Sequence, residues 1–200
     1  MALLGIAALL LTSYLLGSLP NGYLICRWVA NIDVRTVGSK NIGATNVARS
    51  LGLNWGLLVL VMDMAKGALP VVVALSIWSG GTEKNLLMVA LVALAAFFGH
   101  LFSVFLRFRG GKGVAIAFGI SLLLIPKAAL VSFVIFLVVI WIWRHVSLGS
   151  LTALLTLPAW AAVTGYNFVY VGLTSVFALF VVIRHRSNIR ALLQGKERRI

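Results

Sequence analysis

Apolar residues fill this chain in long stretches, and polar residues gather almost only where those stretches end. Seven runs stand out: Ala2–Arg27, Leu51–Trp78, Leu86–Leu106, Val114–Ile125, Lys127–Trp143, Leu148–Val163 and Phe168–Ile183. A helix of about 20 apolar residues crosses a hydrocarbon layer of roughly 30 Å. The pattern therefore predicts an all-α integral membrane protein with seven transmembrane helices. Val114–Ile125 is short for a full crossing, so it either starts inside the glycine-rich segment before it or spans part of the bilayer. Pro126 separates it from the next run, whereas Pro70 and Pro158 lie inside runs and predict kinks. No repeat is evident, and the one long connection, Trp28 to Ser50, is too small to fold alone. Residues 1-200 read as a single transmembrane domain.

Composition agrees. Of the 200 residues 62% are hydrophobic and 10% charged, where a soluble domain averages about a quarter charged. The stretch Ala2–Ile25 lacks the basic start and short core of a secretory leader, so it reads as a retained first helix. Cys26 is the only cysteine, which excludes an intramolecular disulfide. Charge then orients the helices. Alternate connections hold Arg27, Arg35, Lys40 and Arg49, then Arg107, Arg109 and Lys112, then Arg144, and finally six cations after Ile183. The opposite connections hold only Lys84 and Lys127. Cations favour the cytoplasmic side, so the N-terminus is expected outside and the C-terminus in the cytoplasm, which requires an odd number of spans.

Three polar segments are unlike ordinary membrane loops. Gly38-Ser-Lys-Asn-Ile-Gly-Ala-Thr-Asn46, followed by Arg49, offers backbone N–H groups and side-chain donors leading into the Leu51 run. It reads either as an anion cradle or as a solvated turn. In the second segment, Gly99-His100 through Gly113, residues Gly110, Gly111 and Gly113 allow close backbone approach to a ligand, and Lys112 adds a charge. It is not a Walker A loop, because Leu106 and Gly113 occupy positions that need Gly and Ser or Thr. Arg107 and Arg109 read as snorkelling cations. The third, His185-Arg-Ser-Asn-Ile-Arg190, places His185 and Asn188 on one face if the last helix runs on; it reads equally as a lipid-binding basic tail. Alternation brings all three to one membrane face, where many donors and few acids suit a phosphate-bearing ligand.

The absences narrow the chemistry. Asp33, Asp63, Glu83 and Glu197 are the only carboxylates, too few for paired-acid work or an acid-rich two-metal site. The three histidines have no metal-binding spacing, so no metal and no cofactor is expected. Topology accounts for the basic charge, which removes the case for nucleic acid. Asp63 and Lys66, at i,i+3 in the second run, read as a structural ion pair.

At these segments the chain resembles the bacterial acyl-phosphate:glycerol-3-phosphate acyltransferase family, the PlsY type. The matching residues are Gly38 through Asn46 with Arg49, then Gly99-His100 with Gly110-Gly111-Lys112-Gly113, then His185-Arg186 with Asn188 and Arg190. The family usually has glycine where Lys40 sits and proline where Ser103 sits, departures expected to add a side chain at a tight turn and to loosen a helix end. The resemblance implies transfer of an acyl group from acyl-phosphate to the 1-hydroxyl of glycerol-3-phosphate, by a monomer in the bacterial inner membrane with its site on the cytoplasmic face. It implies catalytic roles for Ser39, Lys112, His185 and Asn188, with Ser39, Arg49, Lys112 and Asn188 holding phosphate. Gly38, Asn41, Thr45, Asn46, Arg49, His100, Gly110, Gly111 and Gly113 are the expected substrate-binding residues. His185 is left to orient the attacking hydroxyl, to stabilise the transition state or to act as base.

Overall fold

The computed structural model describes residues 3–199; Met1, Ala2 and Ile200, parts of the predicted domain and first helix, lie outside the described residues. Every regular element among the described residues is helical. They form two compact units, one reaching to Ile120 and the other starting at Ser121.

The first unit opens with α1 (Leu3–Ser18) and α2 (Asn21–Ala30), where one continuous helix was expected. The two are bent by 40°. Pro20 causes the break: it has no N–H to offer Leu16 and disfavours helix at Leu19. The connection after α2 is shorter than expected, because α3 (Ala44–Leu51) begins before α4 (Leu53–Ile77). Gly52 divides them at φ +98°, a backbone that side chains other than hydrogen resist. Next come α5 (Glu83–Leu101), a 3-10 turn at Val104–Leu106, and α6 (Val114–Leu124), which runs across the boundary.

Lipid tails are as apolar as leucine, so helices in a bilayer associate through close packing and polar contacts. Both operate between α1 and α5. A β-carbon on Gly17 would strike the backbone of Ala96, and one on Gly99 the carbonyl of Tyr14. Tyr14 Oη donates to the Phe102 carbonyl at 2.6 Å, and Ser18 Oγ to that of Gly99 at 3.2 Å. Ser103 Oγ donates to the Ser18 carbonyl at 2.6 Å. The serine thus ties the end of α5 to α1, where a loosened end was expected from loss of the family's proline.

In the second unit α7 (Pro126–Trp143) packs on α8 (Val146–Val163), α8 on α9 (Phe168–Arg184), and α10 (Arg186–Leu193) on both α8 and α9. Pro126 opens α7, where its missing N–H costs nothing. The Asn167 side chain caps α9 by accepting from the Val169 N–H at 2.9 Å.

Helices α4, α7, α8 and α5 with its following turn are each long and apolar enough to cross a membrane. Counting α1–α2 and α9–α10 as bent spans raises the number from four to six. At 11 residues α6 is only about 16 Å long. Leu57, Val61, Leu69 and Val72 of α4, and Leu130, Val134 and Leu137 of α7, stand exposed, as hydrocarbon-facing side chains must. The chain is a multi-pass membrane protein.

Candidate active site

The first polar segment is built around one amide. Asn46, 1% exposed, donates from Nδ2 to the carbonyls of Val34, Val37 and Asn41 and accepts the Ser39 N–H on Oδ1, all within 2.9–3.1 Å. Asn46 was expected to meet substrate. In the structure its side chain bonds inside the loop, where it shapes residues 34–41. Gly38 and Lys40 both take φ +57°, so lysine occupies a left-handed turn position where glycine is the easier fit. Val34, Ile42 and Val47 anchor the segment in a buried cluster with Ile25, Cys26, Val59 and Leu106. Ser39 and Arg49 are exposed, and Asn41 and Thr45 half-buried. Because the helix starts at Ala44, Thr45, Asn46 and Arg49 lie on α3 itself; the segment leads into α3, not into the Leu51 run.

Ahead of it, Asp33 accepts from the backbone N–H, Nε and Nη2 of Arg35 at 3.0, 2.9 and 2.6 Å. That guanidinium holds the Asp33 carboxyl down to about 2. Arg35 also lies over the Tyr23 ring, 4.7 Å from its centre.

The second segment folds back on the helix it follows. The N–H of Gly110 donates to the Leu101 carbonyl and that of Gly111 to the His100 carbonyl, at 3.1 and 3.0 Å. A β-carbon at Gly110 would strike the His100 carbonyl oxygen, and one at Gly111 the His100 ring. Gly113 sits at φ +87° against Leu101 and Phe97. The glycines therefore answer to close contacts with a carbonyl, a ring and apolar side chains, and Lys112, half-buried, is held between two of them just before α6. His100, expected among the substrate contacts, is 3% exposed beneath this loop. Its Nδ1 lies 4.0 Å from Asp63 Oδ1. Arg107 and Arg109 are exposed.

In the second unit, His185 and Asn188 were expected to share a face if α9 ran on through the third segment. The helix breaks instead at His185, where α9 and α10 meet at 62°. His185 is buried, and its Nδ1 lies 2.8 Å from the Val181 carbonyl. A carbonyl only accepts, so Nδ1 is the donor in this contact. Asn188, in the first turn of α10, donates from Nδ2 to Glu197 Oε1 at 2.7 Å; Ser147 Oγ donates to the same oxygen at 2.7 Å. Gly195, at φ +66°, turns the chain back to make this contact. No motif in the sequence singles out Glu197. Its one signal is scarcity, as one of four carboxylates and the only one beyond Glu83.

Apolar helices with polar, glycine-built loops at their ends define a multi-pass membrane protein. The model of a family described as glycerol-3-phosphate acyltransferase matches residues 7–195. A glycerol-3-phosphate acyltransferase of Syntrophotalea carbinolica is 44% identical, with 96% of this chain and 95% of that one covered. One of Myxococcus xanthus is 43% identical over 96% and 98%. A crystal structure of PlsY, an integral membrane glycerol 3-phosphate acyltransferase, in its glycerol 3-phosphate form, superposes with a TM-score of 0.91 at 37% identity, covering 98% and 96%. The chain belongs to the glycerol-3-phosphate acyltransferase family, the PlsY type, and is a membrane acyltransferase of phospholipid synthesis.

Proposed function

We propose that this enzyme transfers a fatty acyl group from acyl-phosphate to the 1-hydroxyl of glycerol-3-phosphate, giving lysophosphatidic acid and inorganic phosphate. One observation carries the reading: the full-length likeness to PlsY, which has been solved in a glycerol 3-phosphate form and in a lysophosphatidic acid form. Those ligands are the substrate and product of such a transfer. The donor is the one the family resemblance implies, and the chemistry agrees with it. Acyl-phosphate is a mixed anhydride with a good leaving group, so a chain poor in carboxylates can act mainly by positioning and charge stabilisation.

In the reaction the 1-hydroxyl oxygen attacks the acyl carbonyl, the bond from that carbon to the phosphate oxygen breaks, and the hydroxyl proton passes to a phosphate. Ser39, Arg49, Lys112 and Asn188 hold the phosphate groups. Gly38, Asn41 and Thr45 line the first loop, and Gly110, Gly111 and Gly113 let the second approach its ligand closely. His185 orients the hydroxyl, with its ring held in place by the Nδ1 bond to the Val181 carbonyl. The chain works as one domain and as a monomer. It has seven spans with α6 among them, its N-terminus outside, and its site on the cytoplasmic face of the bacterial inner membrane. The bias of cations supports that orientation.

The test supplies purified protein with labelled glycerol-3-phosphate and either acyl-phosphate or acyl-CoA. Labelled lysophosphatidic acid is expected with acyl-phosphate only. Product from acyl-CoA alone would refute the donor, and full turnover by Lys112→Ala or Asn188→Ala would refute the site.

A further inference from the structure

From the packing of the first unit we infer that the buried Asp63–Lys66 pair is a positioning device, setting the register of the two glycine-bearing loops. This rests on the reading that those loops bind glycerol-3-phosphate. The pair is inside the protein, not on its surface: Asp63 Oδ1 and Lys66 Nζ are 2.8 Å apart, with both side chains almost wholly buried. Two buried charges need further partners, and the partners lead outward to the two loops.

On one side Asn21 Nδ2 donates to Asp63 Oδ1 at 3.0 Å, and Lys66 Nζ to the Leu19 carbonyl at 2.7 Å. Those bonds clamp the elbow between α1 and α2. Gly22, the next residue, is packed so tightly on the Ile42 carbonyl that a β-carbon would overlap it. The position of α2 therefore sets the position of the segment that carries Ser39. On the other side the His100 ring lies 4.0 Å from Asp63 Oδ1, beyond hydrogen-bond reach, and supports the second loop in two ways, with its carbonyl on the Gly111 N–H and its ring against Gly111. Lys112 follows directly. One carboxylate thus lies two contacts from each loop.

A pair needed only for folding and a pair needed for register predict different outcomes. Apolar side chains of similar size often replace a buried ion pair without loss of stability. The test uses the full chain in detergent micelles, with two variants: Asp63→Leu/Lys66→Met, which removes both charges, and Asn21→Ala, which keeps both and removes one link. Melting temperature, kcat and KM for glycerol-3-phosphate are measured for each, with whichever acyl donor the parent uses, so an error in the proposed donor leaves the result readable. The double variant is expected to raise KM at least tenfold and Asn21→Ala at least threefold, with melting temperatures within a few degrees of the parent. A parental KM in the double variant overturns the inference, whatever the melting temperature does. Should the double variant fail to fold, Asn21→Ala decides alone, and a parental KM there overturns it equally.

Discussion

Glu197 holds Asn188 by its amide nitrogen, at 2.7 Å, and so determines which end of that amide is turned toward the carboxylate. The same oxygen is fixed by Ser147 from the start of α8. A hydrogen bond to a charged group contributes about 1.5–3 kcal/mol. Glu197→Ala is predicted to lower kcat at least tenfold by letting the Asn188 amide rotate. Glu197→Gln, which keeps an acceptor oxygen, is predicted to stay within about threefold of the parent. Equal kcat in the alanine variant and the parent would show that the orientation of Asn188 does not depend on this contact.

Asn46 permits a sharper comparison. Asn46→Ala strands three carbonyls and one N–H, at about 1 kcal/mol for each lost bond, so roughly 2–4 kcal/mol of local stability should go. Asn46→Asp should be worse despite its near-identical shape, because it turns a carboxylate toward the carbonyls of Val34, Val37 and Asn41. Hydrogen exchange across residues 34–41 reports both effects. Slower exchange in the aspartate variant than in the alanine variant would contradict the clamp.

Lys40 tests the family departure. A left-handed side chain costs about 1–2 kcal/mol, whereas glycine has its own unfolded-state freedom to lose, about 0.5–1 kcal/mol. Lys40→Gly should therefore melt within a few degrees of the parent. Lys40→Ile, β-branched at φ +57°, should melt clearly lower. If isoleucine is tolerated as well as glycine, the turn relaxes without penalty.

Asp33 should show its pairing in acid. Its carboxyl is held at about 2 in the folded protein against an ordinary 3.8. The stability it contributes is therefore complete above 3.8 and is lost as pH falls through about 2. A carboxyl-carbon NMR titration should find the low midpoint in the parent and a return toward the ordinary value in Arg35→Ala. An ordinary midpoint in the parent would mean that the ion pair does not persist in solution.

Much of this was legible in the chain, and the gaps have physical causes. Apolar runs locate helices because a bilayer tolerates little else, so α4, α7, α8 and α9 follow their runs closely. Runs do not reveal elbows. Pro20, between Leu19 and Asn21, lies inside a run whose remaining residues are apolar enough to read as one helix, and the bend at His185 has no proline to announce it. The glycines of the second loop were conspicuous, but their reason, a carbonyl and a ring of His100 pressed against them, is a contact formed only by folding back. Composition favours reading Asn46 as a ligand for substrate; only the geometry reveals an amide that also ties its own loop together. Glu197 and Asn21 act through partners 9 and 42 residues away, which no local pattern encodes.

The elbow at Leu19 bears on how the chain enters the membrane. Its carbonyl is met by Lys66, 47 residues further along, so during synthesis the oxygen reaches the bilayer well before its partner exists. A lysine arriving alone in hydrocarbon is equally ill-placed. The first two hydrophobic segments should therefore leave the insertion machinery as a pair, with α1 and α2 held at its exit until α4 arrives to supply the lysine.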